Sequence, residues 1–146
     1  MTAIVRLLCL FALATVSLAA DTTPLIEEDD IREAVFRYQF DHNASGLQKS
    51  AKGYFLAIGE KGADPSDEFM KRFAHHKPPV HKASAWRTEN KGLFFRVTSI
   101  VWISDAEVKV AGGYYEGNVS SSGNTYTLKK EAGNWQVTRD EMGSIS

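Results

Sequence analysis

The spacing of apolar residues changes on either side of Pro78 and Pro79, and this change constrains the fold more than any other feature. Before the two prolines, most apolar side chains recur every three or four residues, as on one face of a helix. From His81 onward, apolar and polar residues alternate, as they do along β-strands with one buried face. Proline lacks a backbone N–H and pushes the preceding residue from helical angles, so no helix continues through the pair. The sequence therefore predicts an α+β domain in which helical segments come first and hairpins follow.

Two helices are predicted before the prolines. The first lies between an N-cap at Asp30 and a stop at Gly46, because aspartate accepts the free amide hydrogens of a first turn and glycine adopts left-handed angles. The apolar side chains that share one face of this helix are Ile31, Ala34, Val35 and Tyr38. The second helix is predicted to begin with Asp64 as its cap and Pro65 as its first residue, and to end before the prolines.

The strands are predicted from glycine boundaries and from alternation. Residues 53–59 are apolar and aromatic and lie between glycines, which indicates a short strand. In the longest strand, alternation predicts one face with Phe95, Val97, Val101 and Ile103. The opposite face is predicted to carry Phe94, Arg96, Thr98, Ile100 and Trp102. Gly112 and Gly113 predict a bulge in the next strand. The predicted fold is two helices packed on a curved antiparallel sheet of four to six strands.

The first residues have the layout of a secretory signal peptide. Arg6 precedes an uncharged apolar run at residues 7–18, and Ser17 and Ala19 are the small residues expected before a cut after Ala19. The run is shorter than the roughly 20 residues of a membrane span, and an uncleaved anchor is the alternative interpretation. The sequence therefore predicts a secreted or periplasmic protein with no membrane span after cleavage.

Cleavage would leave a polar, flexible lead-in at residues 20–28 and a single domain at residues 29–146. The only cysteine, Cys9, would leave with the signal, so the mature chain is predicted to lack disulfide and thiol chemistry. Its net charge would be −2, since 16 basic and 18 acidic residues remain, and nucleic acid is therefore not an expected partner. The sequence contains no nucleotide-binding, zinc or calcium motif, so no cofactor is expected. Asn43 and Asn118 begin glycosylation sequons, which matter only in a eukaryotic secretory source.

Three of the four histidines, His75, His76 and His81, lie close together in the sequence. Neighbouring side chains on a helix point about 100° apart, so His75 and His76 are poorly placed to share one metal ion. The exposed carbonyls of a last helical turn favour donor side chains. The sequence therefore predicts the end of the second helix here, and no metal site.

Asp41 and His42 are the candidate catalytic residues. A carboxylate beside an imidazole at the mouth of a cavity could act as an acid–base pair. The alternative, which we favour, is the solvated end of a helix, because consecutive helical residues face different directions.

Tyr38, Arg96 and Tyr114 are the candidate pocket residues. An arginine within an apolar strand could bind a carboxylate ligand through two parallel hydrogen bonds. The alternative for Arg96 is an outward side chain stacked over Trp102 or Trp135. The tyrosine hydroxyls could line a cavity, whereas strand aromatics more commonly belong to the core.

Two long segments carry a resemblance to known proteins. The stretches DPSDEFMKRFAHHKPPV and VWISDAEVKVAGGYYEGNVSSSGNTYTLKKEAGNWQVTRDEM, with the closing SIS, resemble a family of small exported bacterial proteins of unassigned activity. More distantly, the order of helices and strands resembles the cystatin-like and nuclear-transport-factor-two-like superfamily. That resemblance implies a cone-shaped cavity, which in the superfamily serves isomerases, dehydratases and non-enzymatic binding domains. It also makes a homodimer through the sheet face an expectation.

The absence of catalytic motifs favours a non-catalytic function. We expect an exported single-domain module that binds an unidentified small molecule or another protein. The alternative is a small cofactor-free isomerase, dehydratase or hydrolase that uses Asp41 or His42. For the isomerase, the resemblance implies a buried aspartate opposite a pair formed by a tyrosine and an acid, and Asp41, Tyr38 and Tyr114 are the candidates for these positions. Cystatin inhibitors carry a Gln-x-Val-x-Gly hairpin, which this sequence lacks.

Overall fold

The computed structural model describes residues 23–87, 89–117 and 121–145 of the chain. Within these ranges the protein is an α+β domain with two α-helices and one six-stranded sheet. The helices are α1 (Thr23–Asp41) and α2 (Asp67–Lys71), and a 3-10 turn covers Ala83–Ala85. The strands are β1 (Tyr54–Ile58), β2 (Val80–Lys82), β3 (Leu93–Ser104), β4 (Glu107–Tyr115), β5 (Ser121–Glu131) and β6 (Asn134–Ile145). The predicted signal peptide and the sequon at Asn118 lie outside the described residues.

None of the described helices combines the length and the apolar character needed to cross a membrane.

The sheet is mixed and open, with the strand order β2-β1-β3-β4-β5-β6. Strand β1 runs parallel to both β2 and β3, whereas β3 to β6 form an antiparallel meander. The prediction of a wholly antiparallel sheet was therefore wrong. The segment between β1 and β2 contains α2, and a crossover of this length returns the chain to the same end of the sheet, so that the strands pair in parallel.

Helix α1 has different ends from those predicted. It begins at Thr23, so residues 23–28 of the expected flexible lead-in are helical. Asp30 is not the N-cap, because it lies inside the helix, where its carboxylate accepts a hydrogen bond of 2.7 Å from Arg72. Gly46 is not a left-handed stop, since the helix ends at Asp41. The amide group of Asn43 caps that end, donating hydrogen bonds of 2.8 and 3.2 Å to the last carbonyls.

Helix α2 is shorter than predicted. Its N-cap is Ser66 instead of Asp64, and the Ser66 hydroxyl accepts a 3.1 Å hydrogen bond from the amide of Phe69. The helix ends at Lys71, so the predicted last turn at the histidines was wrong.

The three histidines lie at different places. His75 lies in the exposed turn after α2. His76 packs against the rings of Phe40 and Tyr54, with centroid distances of 4.8 and 5.5 Å. His81 stacks on Phe55 on the opposite face of the sheet, 5.2 Å away. In the part of the chain that the structure describes, no three His, Cys, Asp or Glu side chains are grouped to hold a metal ion.

The hydrophobic core lies between α1 and one face of the sheet. The buried apolar side chains of α1 are Ile31, Val35, Phe36 and Phe40. The buried apolar side chains that the sheet places beneath them are Leu56, Leu93, Phe95, Val97, Val108, Val110, Leu128 and Trp135. Helix α2 closes one side of this core, because its Phe69 meets the ring of Phe36 at a centroid distance of 6.1 Å. Continuous burial of this kind is the main stabilising contribution in a chain without disulfides.

A bulge in β3 overturns the predicted faces of that strand. The register with β4 shifts between Val97 and Ser99, so the alternation of side chains inverts beyond this point. Val101 and Ile103 consequently lie on the open face of the sheet, each 55% exposed, and not beside Phe95 and Val97 as predicted. Conversely, Ile100 packs against the core, and the ring of Trp102 meets that of Trp135 at 5.6 Å.

The glycine pair of β4 lies opposite this bulge. A β-carbon on Gly112 would approach the carbonyl oxygen of Arg96 to 2.5 Å, and one on Gly113 would approach that of Ser122 to 1.9 Å. These glycines therefore allow three strands to come unusually close. The irregularity was predicted at this point, although the extra residue belongs to β3.

Candidate functional site

The face of the sheet opposite α1 carries a row of side chains that runs across five strands. The strand registers align His81 with Phe55, Phe55 with Phe94, Phe94 with Tyr115, and Tyr115 with Ser121. Side chains directly opposite each other on one sheet face are in contact distance. The row therefore presents aromatic rings on the face that the helices leave uncovered.

A short segment folds back over this row. We call residues 80–87 the strap, since the 3-10 turn within it carries Trp86 across the open face. The indole ring of Trp86 meets the rings of Phe55, Phe94 and Tyr115 edge-on at centroid distances of 5.1, 5.8 and 6.2 Å. Aromatic pairs favour such edge-to-face arrangements. Trp86 thus forms a wall above the aromatic row.

The strap is held in place by two side chains, one from the segment before α2 and one from the first residue of that helix. The Asp64 carboxylate accepts hydrogen bonds from the amide and the hydroxyl of Ser84, at 2.7 and 2.6 Å. These hydrogen bonds from Ser84 hold the pKa of the exposed Asp64 carboxyl below its ordinary value. Lys82 forms an ion pair of 2.6 Å with Asp67. The residue predicted to cap the second helix therefore fixes the strap.

A cleft of about 400 Å³ lies between Trp86 and the open face of the sheet. Its described lining residues are Trp86, Phe94, Arg96, Tyr115 and Ser121. Cavities of this size, with mainly apolar walls and a few polar groups, bind small organic molecules in many proteins. The lining contains aromatic faces, a guanidinium group and hydroxyl groups, but neither a carboxylate nor an imidazole among the described residues. This set is suited to binding and offers no general base.

Arg96 rises from the floor of the cleft. The residues paired with it on the neighbouring strands are Ala57 and Gly113, and Gly123 follows on β5, so small residues surround its base. The Arg96 side chain is exposed, and its guanidinium group forms no hydrogen bond or ion pair with any described residue. Nor does it stack on Trp102 or Trp135, which belong to the core side of the sheet. The carboxylate-binding interpretation of Arg96 stays a prediction, whereas the alternative of stacking on these tryptophans was wrong.

The backbone at Arg96 is supported from the opposite side of the sheet by Gln39. This α1 side chain is 1% exposed, and its amide nitrogen lies 3.2 Å from the Arg96 carbonyl oxygen and 3.4 Å from that of Gly113. It also donates a 3.2 Å hydrogen bond to the hydroxyl of Tyr126. Burial raises the pKa of that tyrosine above its ordinary value. Gln39 was not predicted as a functional residue; the available signal was a glutamine between the aromatic residues Tyr38 and Phe40 of a helix.

The other predicted pocket residues lie on the α1 side of the sheet. Tyr38 is half-buried, and its ring stacks on that of His42 with a centroid distance of 4.1 Å. Burial, followed by the charge of Asp140, raises the pKa of Tyr38. Tyr114 is 6% exposed and belongs to the core cluster. Of the three predicted pocket residues, the structure therefore brings only Arg96 into the cleft.

The candidate catalytic pair lies away from the cleft. Asp41 and His42 are exposed at the C-terminal end of α1, on the other side of the sheet. The Nδ1 atom of His42 lies 3.1 Å from the carbonyl oxygen of Tyr38. Neither residue is among the described lining of the cleft, and their action as an acid–base pair stays a prediction.

Comparison of this chain with protein-family models, with curated proteins and with solved structures finds no match.

Proposed function

We propose that this protein is an exported, non-catalytic module that binds a small, largely apolar organic molecule in the cleft beneath Trp86. The observation that carries the proposal is the aromatic cleft of about 400 Å³ on the sheet face that neither described α-helix covers. Export is proposed from the signal-peptide layout of residues 1–19.

The aromatic residues of the cleft support binding because they lie outside the hydrophobic core and remain partly exposed to solvent. Phe94 and Trp86 are only half-buried, and Tyr115 is 39% exposed. Covering apolar surface releases about 25 cal/mol for each Å² removed from water. A flat molecule inserted between Trp86 and the aromatic row would cover several of these rings together. The same rings are held in place before a ligand arrives, which lowers the entropic cost of binding.

The positions of the polar groups support binding instead of catalysis. The described lining residues include Ser121 and Tyr115 but no group that could remove their protons at neutral pH. The candidate acid–base pair, Asp41 and His42, lies at the far side of the sheet. For this reason we do not propose the isomerase, dehydratase or hydrolase activity as the function.

The proposal is tested by titrating ¹⁵N-labelled protein with 2-naphthamide, a neutral bicyclic probe. We expect saturable chemical-shift changes at the indole N–H of Trp86 and at the amides of Phe94 and Tyr115. The indole resonance of Trp102, which lies on the other face, is expected to stay unchanged. Absence of saturable changes at Trp86, or equal changes at both indoles, contradicts the proposal.

Two matched variants test the same site independently. Trp86→Ala removes the wall of the cleft and is expected to weaken 2-naphthamide binding at least about fivefold, because a stacked aromatic face is lost. Trp102→Ala removes a similar side chain from the core side of the sheet and is expected to leave the affinity unchanged. Circular dichroism confirms that both variants are folded. Equal losses in both variants would contradict binding in the cleft.

A further inference from the structure

We propose that the cleft selects flat apolar molecules that carry a single carboxylate, and that Arg96 is the residue that recognises this charge. The inference rests on the proposed function and extends it to a class of ligand. The juxtaposition that carries it is the guanidinium group of Arg96, unpaired among the described residues, between an aromatic cleft and a small polar depression.

Arg96 differs from the other arginines that the structure describes. Each of the others is engaged within the protein, and these residues are Arg32, Arg37, Arg72, Arg87 and Arg139. Arg139 is the useful comparison, because it lies on the same sheet face and pairs with Glu141 at 3.1 Å. Arg96 has five N–H donors and no acceptor among the described residues. Its guanidinium group is therefore free to bind a ligand from outside the chain.

Two cavities meet at Arg96. On one side lies the aromatic cleft under Trp86. On the other side lies a depression of about 260 Å³, whose described lining is small and uncharged apart from Arg96, and includes the threonines Thr98 and Thr125. A ligand with an apolar end and a charged end would place its rings in the cleft and its charge at the rim of the depression. This arrangement specifies the chemistry of both ends of the ligand.

The charge at this site favours a carboxylate over more highly charged groups. Arg96 is the only cationic side chain among the described lining residues of the two cavities. A carboxylate is satisfied by one guanidinium group, which binds both oxygen atoms through parallel N–H donors. A phosphate of higher charge generally needs additional donors or cations.

The experiment compares 2-naphthoate with 2-naphthamide, which share the same rings and differ mainly in the charge. Affinities for the native protein and its variants are measured by the NMR titration of the Trp86 indole resonance at low ionic strength. For the native protein we expect 2-naphthoate to bind about tenfold more tightly than the amide, as a charge-assisted bidentate contact provides. We expect Arg96→Gln to abolish this preference while the affinity for 2-naphthamide stays the same. Arg96→Lys is expected to keep part of the preference, because lysine supplies the charge without the planar fork.

The control is Arg139→Gln, which removes a cation from the same sheet face and is expected to leave the tenfold preference unchanged. If Arg139→Gln reduces the preference as much as Arg96→Gln, the preference arises from the overall electrostatic potential of this sheet face. The inference about Arg96 is then wrong. If the native protein binds the amide as tightly as 2-naphthoate, the carboxylate class is wrong and the proposed function stands. If neither compound binds at the cleft, both proposals fail. The Arg96 side chain forms no bond with any described residue, so the variants of Arg96 are expected to fold normally.

Discussion

A side chain at Gly113 would collide with the neighbouring strand β5, and replacing this glycine with alanine provides a strict test of the arrangement. A β-carbon at Gly113 would lie 1.9 Å from the carbonyl oxygen of Ser122 and 2.9 Å from its carbonyl carbon. Ordinary contacts of β-carbons begin at 3.4 Å, so the two strands would have to separate by more than 1 Å. Both obstructing atoms belong to the backbone of the paired strand β5, which no side-chain rotation can move.

The expected cost follows from this geometry. Overpacking in a core typically costs about 1–3 kcal/mol, and the obstruction of one backbone by another belongs at or above the upper end of that range. We therefore expect Gly113→Ala to lower the free energy of unfolding by about 3–5 kcal/mol. For a domain of this size each kcal/mol corresponds to roughly 4 °C, which predicts a Tm lower by about 12–20 °C.

Two other glycines provide a graded control series. A β-carbon on Gly143 would lie 3.3 Å from the carbonyl oxygen of Gly123, and one on Gly46 would meet nothing within 4 Å. Gly143→Ala is expected to cost about 1 kcal/mol, at the lower end of the overpacking range. Gly46→Ala is expected to be neutral, or to stabilise by up to about 1 kcal/mol, because alanine restricts the unfolded chain.

Urea unfolding followed by circular dichroism and tryptophan fluorescence measures all three variants under the same conditions. The predicted order of stability is Gly46→Ala, then Gly143→Ala, then Gly113→Ala, with unchanged m-values for the first two. The reasoning would be refuted if Gly113→Ala were as stable as Gly46→Ala. In that case the carbonyl oxygen of Ser122 could not lie 1.9 Å from the position of a β-carbon on Gly113. The backbone beneath Arg96 would then have a different shape.

Two further predictions concern the supports of the site. Gln39→Leu leaves two backbone carbonyls and a tyrosine hydroxyl without their amide donor, so we expect a loss of about 2–3 kcal/mol in urea unfolding. Gln136→Leu, at an exposed position of the sheet, is the matched control and should change stability by less than about 0.5 kcal/mol. For Asp64, the hydrogen bonds from Ser84 lower the folded-state pKa, so its stabilising contribution is complete above the ordinary aspartate pKa of about 3.9 and is lost as the pH falls through the lower folded value. Asp64→Asn should therefore make the stability of the strap less dependent on pH below about 4, which tryptophan fluorescence measures. The control Asp105→Asn, in the exposed β3–β4 turn, should leave the acid transition unchanged.

Several elements could be predicted because their signals are local. The strand predicted at residues 53–59 is β1, where glycines bound a short apolar run. The hairpins after β3 follow from alternation interrupted by turn residues, and the α+β class follows from the order of these segments. Arg96 was a candidate pocket residue because a charge is unusual in an apolar strand, and its role in binding a ligand stays a prediction.

Other predictions failed where a partner distant in the sequence decides the outcome. Asp30 has the chemistry of an N-cap, but Arg72 occupies its carboxylate and the helix continues past it. Asp64 likewise has the chemistry of a cap, but it binds Ser84 on the strap. The same side chain satisfies either role, and only the packed structure determines which donor is nearer.

The sequence by itself determined the types of element, their order and the small residues at the close approach of the strands, because backbone preferences and apolar periodicity act over a few neighbouring residues. Only the tertiary structure decided which face each side chain occupies, because the one-residue bulge after Val97 inverts the alternation and has no separate signal in the pattern of β3. It also placed Trp86 over the open face and Gln39 behind Arg96, 57 residues away in the chain. The cleft therefore depends on contacts between distant segments, which form only when the whole sheet has assembled.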